Sequence, residues 1–119
     1  MREILVIDDN RINAKLIEEL AAVSGRPCRV YSGQFTPDEI AVAVKAGDWA
    51  AVLLDINLGQ ASGLDIIRKL EGQGVNLAVV SGMEDADLQA DAQKLGVKHF
   101  FTKPLDINVF VEFLSSLPG

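Results

Sequence analysis

Three four-residue runs in this chain, Ile4-Leu5-Val6-Ile7, Ala51-Val52-Leu53-Leu54 and Leu77-Ala78-Val79-Val80, are apolar at every position rather than at every second one. A strand with one wet face alternates, so unbroken runs belong to strands covered on both faces, as in a parallel sheet held between helices. Two further runs, Cys28-Arg29-Val30-Tyr31 and Phe100-Phe101, carry a charge or are shorter, and read as more exposed strands.

Segments of helical period separate the runs. In the first, Ile12, Leu16, Leu20 and Val23 form the expected buried stripe, Lys15, Glu18 and Glu19 face water, and Gly25 is the stop. The second opens with Thr36-Pro37-Asp38-Glu39, a capping box with proline at the first helical position, and ends at Gly47. Ser62, Asp85 and Asp106 are the expected N-caps of three more. These carry Leu64, Ile67 and Leu70, then Leu88, Ala92 and Leu95, then Phe110, Phe113 and Leu117, with Pro118 closing the last.

The order βαβαβαβαβα, without an internal repeat or a linker, predicts an α/β fold: an open parallel sheet with right-handed crossovers and helices on both faces. Five strands are too few for a closed barrel of this type. A chain of 119 residues, 49% hydrophobic, suits one domain over residues 1–119 whose core needs neither metal nor disulfide, so that any bound metal serves function. Cys28 stands alone and reads as a packed, reduced thiol. Seventeen acidic against eleven basic residues give a net charge of −6, which repels nucleic acid. The four apolar residues before Asp8 are too few for a signal peptide, and the longest apolar stretch, Trp49 to Leu54, falls far below the ~20 residues that span a bilayer. The expectation is a cytoplasmic domain that binds neither membrane nor nucleic acid directly.

In open α/β sheets, ligands bind beyond the carboxyl ends of the strands. At those ends the sequence places Asp8 and Asp9, Asp55, Ser81 and Lys103. One aspartate after a strand is usually a turn or a helix cap, but four strand ends in agreement point to a site. Two carboxylates ~4 Å apart repel by roughly 4 kcal/mol at an effective dielectric of 20, so three together call for a cation. Oxygen donors without Cys or His favour Mg²⁺, with Mn²⁺ able to substitute. Asp55 then reads as a carboxylate nucleophile that forms an aspartyl phosphate, while the metal, Lys103 and the Ser81 hydroxyl stabilise charge on the transferring oxygens.

Four fragments occur in order across essentially the whole chain: Val6-Ile7-Asp8-Asp9-Asn10, Leu53-Leu54-Asp55-Ile56-Asn57-Leu58 with Gly63 downstream, Val79-Val80-Ser81, and Phe101-Thr102-Lys103-Pro104. Together they resemble the receiver domain of two-component response regulators, stand-alone chemotaxis-type regulators included. The resemblance implies a flavodoxin-like sheet of strand order 2-1-3-4-5 and makes Asp55 the phosphoacceptor. It gives Asp8 and Asp9 the role of the acidic pair that holds Mg²⁺, Asp9 and Asp55 directly and Asp8 partly through water, with Asn57 contributing its backbone carbonyl. Ser81 matches the switch hydroxyl, Lys103 the lysine that pairs with the phosphoryl group, and Phe100 the aromatic switch position. A histidine kinase or histidine phosphotransfer protein is the implied donor, and a downstream effector or output domain the implied recipient. A homodimer through the fourth helix, fifth strand and fifth helix is compatible with the same resemblance. Such a domain catalyses its own phosphorylation and dephosphorylation and is not a conventional turnover enzyme.

The sequence departs from the family pattern in places. Gly59 and Gln60 stand where the family often has Pro and Gly, and Met83 lies where it tunes dephosphorylation. Phe100 has no hydroxyl and signals only by burying or exposing its ring. His99 reads as structural, not as a phosphohistidine. An Asp-nucleophile phosphohydrolase is the alternative enzyme, but Asn57, two residues after the nucleophile, cannot be its general acid. A degenerate receiver that only docks a partner is the other alternative, and the intact acids, Ser81 and Lys103 argue against it. No Gly-x-Gly-x-x-Gly or Walker motif follows the first run.

Overall fold

Every one of the five runs has become a strand; β2 keeps the bounds of its run, and the other four are longer than the runs that announced them. In the computed structural model, which describes residues 3–32, 35–56, 63–70, 74–82, 86–97, 99–103 and 105–117, the elements are β1 (Glu3–Ile7), α1 (Arg11–Val23), β2 (Cys28–Tyr31), α2 (Pro37–Ala46), β3 (Trp49–Asp55), α3 (Gly63–Leu70), β4 (Leu77–Ser81), α4 (Ala86–Lys94), β5 (His99–Thr102) and α5 (Ile107–Ser116). The strands are all parallel and ordered β2-β1-β3-β4-β5. This is the α/β sheet expected from the alternation, in the order implied by the resemblance.

Successive side chains on a strand point to opposite faces, and the two cores follow that period. Leu5, Ile7, Val52, Leu54 and Val79 meet α2, α3 and Ala92 of α4 on one side. Ile4, Val6, Leu53 and Ala78 meet α1 and α5 on the other. This is why β1, β3 and β4 are apolar without a break, and why β2 and β5 at the edges carry partly exposed residues. Cys28, at the start of β2, has its thiol pushed up to about 12 by burial first, then by the charges of Glu18 and Glu3, so it stays protonated.

The buried stripe of α1 is not the expected one. Ala14, Ile17, Leu20 and Ala21 face the sheet, while Ile12 is 81% exposed, Val23 78% and Leu16 41%. The helix packs on β1 and β2 and beside α5, in the same buried cluster as Ala50, Ala51 and Ala78. Close approach there favours alanine, and ranking residues by apolar size passes over Ala14 and Ala21.

The start and stop signals fared better. Thr36 Oγ1 accepts from the Glu39 amide at 3.1 Å, and Asp106 Oδ1 accepts from Val109 at 3.2 Å. Gly25 takes a left-handed φ of +72° just after α1, a conformation that L side chains rarely adopt. Ser62, Asp85 and Pro118 lie outside the described residues. Leu95 follows α4 and Leu117 follows α5 instead of lying within them.

Arg26 holds an unexpected place. Its buried guanidinium donates to the carbonyls of Leu114 at 3.3 Å and Leu117 at 2.8 Å. Those carbonyls belong to the end of α5, where a helix runs out of its own donors, so Arg26 caps α5 from the loop before β2.

Candidate functional site

Parallel strands deliver their last residues to one edge. β3 ends on Asp55 and β4 on Ser81, while Asp8 follows β1 and Lys103 follows β5. Asp55 lies in register with Val80, and Ser81 with Thr102. Backbone pairing continues one residue past the strands: the Asp8 amide donates to Tyr31, Ile56 to Val80, and Lys103 to Ser81 at 2.7 Å. The main chain carrying the polar residues is therefore as well held as the sheet itself. At Ile56 the backbone lies directly against the start of α3, because a Cβ on Gly63 would meet the Ile56 backbone at 2.7 Å; only glycine fits there.

Asp8, Asp9 and Asp55 each offer a carboxylate oxygen, and these three atoms lie within 4.8 Å of one another. Asp8 and Asp55 are buried and Asp9 is half-buried. One oxygen of Asp8 accepts the Asn10 amide at 2.8 Å, and the other, Oδ2, is buried without a hydrogen-bond donor among the described residues. Burial, with the Asp55 charge adding to it against the Asn10 amide and Lys103, raises the Asp8 carboxyl to about 6. Lys103 Nζ reaches Asp55 Oδ2 at 3.1 Å. With all three acids ionised, one ammonium leaves a formal charge of −2, and the donors are all oxygen. Such a set fits a hard divalent cation, and the donorless Asp8 Oδ2 fits it in particular.

Ser81 is fully buried, and its hydroxyl donates to Gln89 Oε1 of α4 at 3.1 Å. Phe100 is half-buried against the core on the α2 and α3 side. Its neighbour Phe101 turns to the other side and meets Phe110 and Phe113 edge-on, with centroids 5.2 and 5.0 Å away. His99 starts β5, at the end of the sheet remote from the acids, with its ring 5.4 Å from that of Phe113.

Asp8, Asp9, Asp55, Ser81 and Lys103 are thus all at one edge. Asn57, Gly59, Gln60 and Met83 lie outside the described residues. The sequence reading did not single out Gln89, although it falls three positions before Ala92, the one fully buried residue of α4, and so shares its face. It also gave no cap to α1, where Asn10 Oδ1 accepts from Ile12 and Asn13 at 2.9 and 3.2 Å.

Residues 4–115 match the family model described as the response regulator receiver domain. Among curated proteins, the chain is 30% identical over 108 residues to "Stress response regulator protein 1" of Scheffersomyces stipitis, covering 87% of this chain and 37% of that protein. It is 28% identical over 103 residues to the cell cycle transcriptional regulator CtrA of Caulobacter vibrioides, covering 85% of this chain and 43% of that one. The chain therefore spans less than half the length of either relative. Among solved structures, a response regulator receiver protein from Pseudomonas putida superposes with a TM-score of 0.81 at 27% identity, covering 96% of each chain. A receiver domain protein from Clostridium thermocellum does so at 0.80 and 21%, over 97% of this chain and 94% of that one.

Proposed function

This chain belongs to the response regulator receiver family, and on that premise we propose that residues 1–119 form one phosphorylation switch with Asp55 as its acceptor. One observation carries the reading: three carboxylates gathered within 4.8 Å, with a lysine on the one that ends the central strand. A carboxylate oxygen of Asp55 attacks the phosphorus of a phosphohistidine on a histidine kinase or phosphotransfer protein. The P–N bond breaks, its electron pair stays on the imidazole, and an acyl phosphate forms on Asp55. Water attack on that phosphorus later returns the carboxylate and inorganic phosphate.

Asp8, Asp9 and Asp55 would hold Mg²⁺, with Mn²⁺ as a substitute and the Asn57 carbonyl as a further donor; the ion, when bound, offsets their repulsion and screens phosphoryl oxygens. Lys103 already lies on Asp55 and moves little to reach an oxygen of a phosphoryl group there. The Ser81 hydroxyl is a second, neutral donor, and Phe100 the ring that follows its movement. Ile12 and Leu16 support a docking partner, because they leave apolar surface in water on the helix that starts directly after the acids. A receiving effector or output domain, and a cytoplasmic setting, complete the reading. No helix among the described residues is long and apolar enough to cross a membrane.

The test is intact-mass spectrometry after incubation with acetyl phosphate and Mg²⁺. One added phosphoryl group is expected, absent in Asp55→Asn and absent when Mg²⁺ is chelated. Equal labelling of Asp55→Asn would overturn the assignment.

A further inference from the structure

The Ser81 hydroxyl is occupied. It has one proton to give, and it gives it to Gln89 Oε1 at 3.1 Å, inside a pocket where the serine has no exposure at all. A hydroxyl with one proton donates to one acceptor at a time. To donate to a phosphoryl oxygen on Asp55, Ser81 must first give up Gln89.

The residues around this bond give it consequence. The main chain of Ser81 is fixed, since its carbonyl accepts the Lys103 amide at 2.7 Å and the strand pairs with β5 through Thr102. Only the side chain is free to choose a partner. On the other side of the bond, α4 buries only Ala92 fully, and Leu88 and Gln89 are half-buried. A helix with so little apolar anchorage depends on each polar tie to the sheet.

We infer that Gln89 is a positioning residue that acts through Ser81: it holds the hydroxyl away from Asp55 in the unphosphorylated protein and ties α4 to the end of β4 until a phosphoryl group takes the proton. The inference rests on Asp55 as acceptor and adds a residue to that site. The bond stabilises the resting arrangement alone, so it taxes any ligand that needs the other one.

The experiment measures binding of beryllofluoride, a phosphoryl mimic, with Mg²⁺ by NMR titration of the full chain. Gln89→Met keeps length and removes the acceptor; it should tighten binding about two- to tenfold, the value of one net hydrogen bond. In a Ser81→Ala background the same substitution should change nothing, because there is no hydroxyl left to hold. Gln89→Glu keeps an acceptor, so once its charge effect is subtracted using the Ser81→Ala background it should not tighten binding. In the free protein, Gln89→Met should also speed amide exchange along α4. If Gln89→Met does not fold, Gln89→Ala serves with the same expectations.

Unchanged or weaker binding by the Met variant would overturn the inference, as would equal tightening with and without Ser81. A parent protein that fails to bind beryllofluoride, or an Asp55→Asn variant that binds it equally well, would overturn the acceptor assignment and this inference with it. Binding that depends on Asp55 with a flat Gln89 cycle would overturn the inference alone.

Discussion

Two helices flank the β4–β5 edge, and they are held in opposite ways. α5 buries Phe110 and Leu114 fully, joins Phe101 and Phe113 in an aromatic cluster, is capped at its start by Asp106 and has its last carbonyls bound by the buried Arg26. α4 buries one alanine fully and is tied to the site by the Gln89 to Ser81 side-chain bond. A fully buried large apolar side chain contributes about 1.5–3 kcal/mol, and α4 has none. The lesson is mechanical. Of these two helices, the firmly seated α5 should stay in place when a charge is added at Asp55, and the structural response should go to the loosely tied α4.

The contrast breaks most visibly from its strong side. Phe110→Ala should cost about 3–5 kcal/mol in urea unfolding, because it opens a cavity in the cluster that seats α5; a cost under about 1 kcal/mol would mean that α5 is not the anchored helix. Next comes the acid edge. Asp8 titrates near 3.8 unfolded and about 6 folded, so between those values the folded protein binds a proton that the unfolded chain has lost. Metal-free stability should therefore fall by up to about 3 kcal/mol as pH rises from 4 to 6 and stay low above it. Asp8→Asn should flatten that slope in chemical denaturation series, and a parent protein more stable at pH 7 than at pH 5 would contradict the cause given.

Mg²⁺ should recover part of this loss. At neutral pH and about a hundredfold excess over its dissociation constant it should add about 2.7 kcal/mol, read as a rise in melting temperature that Asp9→Asn weakens. On the loose side, Leu88→Ala should cost only about 1 kcal/mol, since the residue is half-buried. Smallest of all is the signal from Trp49. It starts β3, six residues before Asp55, with its indole bonded to the Ala43 carbonyl at 3.2 Å and Arg29 over its ring. At ~3.3 Å per residue the ring's strand position lies roughly 20 Å from the acids, so Mg²⁺ should leave its fluorescence nearly unchanged.

What was legible in the sequence, and what was not, follows the same division. Strands buried on both faces advertise themselves, because Ile4–Ile7 and Ala51–Leu54 leave no polar position for water. Strand-end chemistry is equally open to reading: once the strands are parallel, Asp8, Asp55, Ser81 and Lys103 must share an edge. The α1 stripe was misread because alanine weighs little on any apolar scale, yet Ala14 and Ala21 are the residues that allow the helix to approach the sheet. Arg26 was invisible because its partners, two carbonyls about ninety residues away, have no side-chain signature. Gln89 was missed because its polar character on a buried face has meaning only beside the Ser81 hydroxyl.

The most direct measurement is backbone amide hydrogen exchange with and without Mg²⁺ and beryllofluoride, compared helix by helix. Loading the site should change protection along α4, residues 86–94, and leave α5, residues 107–116, within error of its unloaded values. Equal changes in both helices, or a change in α5 with α4 unmoved, would contradict the division between a fixed and a releasable flank.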